Sequence, residues 1–252
     1  MSKPDAPIRL GCVKYLNAQP LIHGWKGPVV FDHPAEICRQ LAAGELDAAL
    51  VSSFEYLRDP IYLIADDVAV ATQGAVHSVF LAHRTPLEKI ERIALDPASR
   101  TSVNLLRCLL AERGLHPRLG ESEADARLLI GDQAIRFREQ QGSAYEYLDL
   151  GQEWKRQTGW PFVFALWLIR PEVAEPEKLA NSLRERRDAN LRALDQVIAA
   201  QQEFPPAFCA HYFRECLYFH FGEAEKAGLL HFRGSCEKHG LLPRSSAALR
   251  LV

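Results

Sequence analysis

A chain of 252 residues that is 48% hydrophobic can bury a core large enough for one broad α/β domain or for two lobes of ordinary size. Its 30 Lys and Arg stand against 32 Asp and Glu, and the resulting charge of -2 offers no basic face to displace counterions from a nucleic acid. No apolar run reaches the roughly eighteen residues of a membrane helix, so the expected partners are small molecules, not nucleic acid or membrane.

Taken in chain order, Ile8 to Val13 reads as a strand and Ala18 to His23 as a short helix. Val29 to Phe31 is then a strand, Ala35 to Ala43 a helix, and Asp47 to Val51 a buried strand that ends at Ser52-Ser53 with a helical turn through Leu57. This is a β-α-β-α-β series. Tyr62 to Ala65 and Val79 to Ala82 read as further strands. A second series follows, with strands at Arg92 to Leu95, Arg127 to Ile130 and Tyr145 to Leu150, and helices at Ser102 to Arg113, Asp132 to Arg138 and Gln152 to Gly159. Phe162 to Ile169 is an apolar strand long enough to cross back between lobes, and after Pro171 the pattern is helical to the end.

These elements predict an α/β chain of two lobes with a cleft between them, like a clamshell. Residues 1–86 and 170–252 are expected to form a first, discontinuous lobe and residues 87–169 a second. Six cysteines at 12, 38, 108, 209, 216 and 236 contain no CxxC pair, as expected of reduced thiols in a cytosolic chain. Met1 to Pro7 lacks the apolar stretch of a secretory signal, which again points to the cytoplasm. The oligomeric state is left open.

The strands of both series end in small polar residues: Tyr15 and Asn17, Ser52 and Ser53, Ser78, Thr101 and Ser102, Gly131 and Asp132. Several sit where helices begin, where unpaired N–H groups and the helix dipole favour an anion, so the crevice suits carboxylates. Ser53, Ser102 and Asp132 are equally suited to capping their helices, and Asn17 to a turn before Pro20. Ser78 lies beside an apolar strand with no capping duty. Trp160, Phe162 and Phe164 are candidates for an aromatic wall of the cleft or for the core. His220, His231, Cys236 and His239 contain a CxxH spacing, but they fall in helical, aromatic-rich sequence and are read as core or surface, not as a metal site. There is no GxSxG, HExxH, P-loop or GxGxxG after a strand, so neither a nucleophile elbow nor a metal, nucleotide or nicotinamide cofactor is expected.

Tyr15-Leu16-Asn17-Ala18-Gln19-Pro20-Leu21, Gly74-Ala75-Val76-His77-Ser78-Val79, Ser99-Arg100-Thr101-Ser102-Val103, Leu129-Ile130-Gly131-Asp132-Gln133-Ala134 and the run from Asp149 to Trp167 occur in this order along the chain. Together they resemble the chorismate dehydratase family of the futalosine route to menaquinone, from residue 8 to about 170. The resemblance implies the type II periplasmic-binding-protein fold and conversion of chorismate to 3-(1-carboxyvinyloxy)benzoate and water, without metal or organic cofactor. It further implies that Asn17 and Ser78 lie closest to the reacting ring, with Ser52, Thr101, Ser102, Tyr15 and Asp132 near the substrate carboxylates; Ser53 joins this set from its place at the same strand end. His77 departs from the family pattern, in which an apolar or small residue precedes the serine. Two other functions remain compatible with such a cleft: a non-catalytic binding protein for small anions, and the related 1,4-dihydroxy-6-naphthoate synthase. A ligand-sensing regulator is disfavoured because no helix-turn-helix precedes residue 8.

Overall fold

The computed structural model of the protein describes residues 7–96, 99–120 and 122–252. Residues 1–6, which hold most of the stretch expected to lack a secretory signal, lie outside the described residues. The strands are β1 (Leu10–Val13), β2 (Val29–Asp32), β3 (Ala48–Ser52), β4 (Leu63–Thr72), β5 (Val79–His83), β6 (Arg92–Ala94), β7 (Arg118–Leu119), β8 (Ala126–Ile130), β9 (Glu146–Asp149) and β10 (Phe162–Ile169). The helices are α1 (Gln19–Ile22), α2 (Pro34–Ala42), α3 (Ser53–Arg58), α4 (Arg100–Glu112), α5 (Gly131–Gln141), α6 (Leu150–Thr158), α7 (Pro176–Arg192), α8 (Leu194–Ala199), α9 (Pro206–His211) and α10 (Glu223–Lys238).

The strands form two five-stranded mixed sheets, ordered β2-β1-β3-β10-β4 and β7-β6-β8-β5-β9. In the first, β1 pairs parallel with β2 and β3, while β10 runs antiparallel to β3 and β4. Leu10, Ala48 to Val51 and Leu166 to Ile169 are buried, so these strands read as continuous apolar runs rather than alternating ones. Helices α2, α7 and α10 pack on this sheet. In the second sheet, β5 runs antiparallel between β8 and β9, and α5 and α6 pack against it. Trp154 of α6 anchors the junction, edge-on to Phe162 and Phe232 at 5.3 and 5.9 Å. Burying such a ring contributes about 1.5–3 kcal/mol.

Several elements differ from the sequence expectation. Strand β5 belongs to the second sheet, Val79 facing Ile130, and all the partners of β10 lie in the first. The change of sheet therefore falls between β4 and β5 and between β9 and β10, not at 86/87 and 169/170. The two crossovers are the loop 73–78 and α6 rather than a pair of long strands. Strand β4 runs on past Ala65 because Asp66 and Asp67 find distant cations: Lys226 at 3.0 Å and Arg187 at 2.8 Å. Asp67 adopts a positive φ of 57° and the ladder to β10 slips in register nearby. The C-terminal region is not helical throughout. Tyr218 bridges to Ala71, and Leu251 bridges to Ile64.

Candidate active site

The carboxyl ends of the parallel strands in both sheets meet at one cleft, the place where open α/β sheets hold ligands. It is lined by Tyr15 and Asn17 after β1, Ser52 after β3, Ser99 and Ser102 at the start of α4, Ile130 and Gly131 at the start of α5, and Ser78 from the first crossover. Valines 13, 70, 76 and 79 and Phe164 supply the apolar wall. The enclosed space is about 70 Å³, below the roughly 300–1,000 Å³ of ordinary ligand pockets. A ligand of usual size enters only when the sheets part or lining side chains turn.

Asn17 and Ser78, expected to act together, do line the same space. The Asn17 Oδ1 is buried and has no hydrogen-bond partner, a situation that costs about 1–3 kcal/mol unless a ligand or water donates to it. Ser78 is fully buried, and its Oγ accepts from the Tyr212 hydroxyl at 2.6 Å, which leaves its own proton free to donate. Ser102 is arranged in the same way: Ser99 Oγ donates to its Oγ at 2.9 Å, while the Ser99 hydroxyl caps α4 by accepting from the Ser102 N–H. Two serines thus present protons to the cleft, each backed by a second hydroxyl.

Tyr15 crosses from the first sheet to the second. Its ring comes within 3.1 Å of where a Cβ on Gly131 would stand, and Gly131 has a φ of +58°, so a side chain there would be both crowded and strained. Burial, with Asp96 and Asp132 nearby, raises the Tyr15 phenol to about 12, so it stays protonated near neutrality.

Ser53, Thr101 and Asp132 are spent on other contacts and do not line the cleft. Thr101 is fully buried; its Oγ1 accepts from the Phe54 N–H at 3.0 Å, its N–H donates to Ser52 Oγ at 3.0 Å, and the two hydroxyls hydrogen-bond each other. Ser53 Oγ donates to the Val163 carbonyl at 2.7 Å. The result is a clasp between α3 of the first sheet and α4 of the second. Asp132 Oδ1 accepts from the Leu16 N–H at 2.9 Å and faces a separate depression beside Lys14 and Glu203. Desolvation raises its carboxyl from 3.8 to about 6.

Of the three aromatic candidates, Phe164 faces the cleft, Phe162 is core and Trp160 is 39% exposed. The C-terminal histidines and cysteine are kept apart by other partners. His220 meets Asp67, His231 packs on Trp154, Cys236 lies 3.8 Å from Cys108, and His239 meets Glu112.

Two residues of the site were not singled out from the sequence. The Asp149 carboxylate caps α6 through the Gln152 N–H and also accepts from the N–H groups of Val76 and His77, at 2.8 Å for the latter, fixing the loop that carries Ser78. The Asp-x-x-Gln spacing of a helix start was a signal for the cap. Tyr212 has no such signal, since its bond to Ser78 spans 134 positions.

No Asp, Glu, Lys, Arg or His side chain lines the cleft among the described residues. Anion affinity must come from hydroxyls, an amide and the N-termini of α4 and α5.

A family model described as menaquinone biosynthesis matches residues 8–238. The chain belongs to this menaquinone biosynthesis family. A chorismate dehydratase from Thermus thermophilus is 36% identical over 262 residues, covering 90% of this chain and 94% of the relative. One from Campylobacter jejuni is 25% identical over 225 residues, covering 88% and 91%. Among solved structures, the periplasmic aliphatic sulphonate binding protein of Escherichia coli superposes with a TM-score of 0.64 at 14% identity, over 96% of this chain and 95% of the other. The member of the menaquinone biosynthesis family described here therefore has the periplasmic-binding-protein fold. No helix among its described residues is long and apolar enough to cross a membrane.

Proposed function

We propose that the protein is a chorismate dehydratase acting in the cytoplasm, a hydro-lyase that turns chorismate into 3-(1-carboxyvinyloxy)benzoate and water. The observation that carries the reading is the cleft in which an orphaned amide oxygen, Asn17 Oδ1, and the donor hydroxyl of Ser78 line one space with no charged side chain among the described residues. The two chorismate dehydratases to which the chain is similar over most of its length give the reading its substrate.

Eliminating water from chorismate breaks the ring C3–H bond, whose electron pair becomes ring π density, and releases the C4 hydroxyl with that proton as water. The product is aromatic, so the step is strongly downhill and needs orientation more than activation. Among the described residues no carboxylate, imidazole or amine lines the cleft, and the Tyr15 phenol is held protonated. The proton acceptor is then a carboxylate of the substrate itself. Asn17 Oδ1 accepts from the ring hydroxyl, Ser78 donates to the enolpyruvyl side, and Ser102 with the start of α4 binds a carboxylate. Asp132, the one carboxyl among the expected site residues, faces the separate depression instead.

The test is direct. Purified protein incubated with chorismate should replace its diene absorption with that of an aromatic product, in a catalytic number of turnovers. Chorismate left intact at enzyme-equivalent concentration rejects the reading.

A further inference from the structure

Beside Ser78 stands a cluster that the cleft does not use. His77 is one of two non-glycine residues among those described with a positive φ, at 62°, a conformation that costs on the order of 1–3 kcal/mol and persists only when its surroundings enforce it. The enforcement is the Asp149 carboxylate, which takes the His77 N–H at 2.8 Å. The turn places the imidazole edge-on to His211, with ring centroids 5.4 Å apart.

His211 and Cys216 are five residues apart. At 3.6 residues per turn, an α-helix would splay them by about 140°. Here residues Tyr212–Cys216 form a π-helical turn, whose wider spiral sets positions five apart on one face. Cys216 Sγ consequently lies 3.5 Å from His211 Nε2. One ligand atom from each of His77, His211 and Cys216 falls within 4.8 Å of the others. A tetrahedral zinc ion, with bonds of about 2.3 Å to sulfur and about 2.0–2.1 Å to nitrogen, sets those two atoms about 3.5 Å apart. His211 Nδ1 is 3.2 Å from the Glu215 carboxylate, the outer contact that orients a ligating imidazole.

Two uncommon backbone features thus aim two imidazoles and a thiol at one point. We propose that His77, His211 and Cys216 bind a divalent ion of the zinc class, with the fourth position open to solvent on the exposed His211 side. Two imidazoles and a thiolate form a borderline-soft set that suits zinc and not magnesium or calcium. On binding, the Cys216 S–H bond breaks, its proton passes to solvent and a zinc–sulfur bond forms, with no change of oxidation state. None of the three ligands lines the cleft. The ion instead ties the residue preceding Ser78 to the helical turn that carries Tyr212, stabilising both partners of the Ser78–Tyr212 hydrogen bond.

The experiment is a titration of the chelator-stripped, full-length protein with cobalt(II) and then zinc(II). The expected result is one equivalent of cobalt with tetrahedral visible bands and a thiolate charge-transfer band in the near ultraviolet, displaced by zinc, together with a zinc-dependent rise in Tm. Cys216→Ser should remove the charge-transfer band. His211→Ala, at an exposed position, should weaken zinc binding by at least about tenfold, since even outer contacts of metal sites are worth that much. Absence of the thiolate band from the parent protein, its survival in Cys216→Ser, or unchanged zinc affinity in His211→Ala overturns the proposal.

Discussion

Two sets of small polar side chains at and beside the cleft do opposite jobs. Ser52, Ser53 and Thr101 spend their hydrogen bonds on one another, on the Phe54 N–H and on the Val163 carbonyl, and so fasten α3 to α4. Asn17, Ser78 and Ser102 keep something back: an acceptor with no donor, and two protons whose oxygens are already engaged from behind. A polar group at a strand end is therefore not by that fact a ligand contact. What matters is whether any hydrogen-bonding capacity is left after the protein has satisfied itself.

Substitutions should separate the two sets by their effect on turnover. Asn17→Ala should cost the most, lowering kcat/KM for chorismate about a hundredfold with Tm nearly unchanged, the scale seen when one preorganised polar contact is removed. Ser78→Ala should follow at roughly tenfold or more, through one lost donor. Thr101→Val should leave turnover per folded molecule within about threefold, yet lower stability by about 1–3 kcal/mol, because the buried Phe54 N–H loses its acceptor. Chemical denaturation read beside steady-state rates checks these three. A Thr101→Val protein with full stability and collapsed turnover would erase the distinction.

Asp132→Asn should change turnover least, by about twofold at most. Its signature is in stability against pH. The folded carboxyl titrates near 6, above its ordinary 3.8, because burial disfavours the charge. The folded state therefore holds the proton more tightly, and the stability this confers is present below about pH 4 and is lost as pH rises through 6. The asparagine cannot titrate, so the variant should gain in Tm relative to the parent between pH 4 and 7. A collapse of kcat in a folded Asp132→Asn protein would instead make Asp132 the base.

Much of the fold was legible because apolar runs of four to eight residues alternate with stretches of helical pattern. Sheet membership was not legible. Val79–His83 looks like any buried strand, and only its pairing with residues some fifty positions later assigns it to the second sheet. The length of β4 was hidden by Asp66 and Asp67, whose cations lie more than a hundred residues away. In the site, residue types and helix starts pointed to Asn17, Ser78 and Ser102, but nothing local tells a spent hydroxyl from an available one, so Thr101 and Ser53 looked the same. Cys236 and His239, whose CxxH spacing is read from the sequence as core or surface, each meet a residue of α4. Sequence proximity does not show that Cys108 and Glu112 occupy them.

The central claim is that ligand binds between Asn17 and Ser78 and not elsewhere. A crystal structure of the protein with the product 3-(1-carboxyvinyloxy)benzoate tests it most directly. The expected result is an aromatic ring between the two sheets, with the Asn17 amide and Ser78 Oγ both within about 3.2 Å of ligand oxygens. A ligand seated in the depression beside Asp132, with the Asn17 Oδ1 still unpartnered, would contradict it.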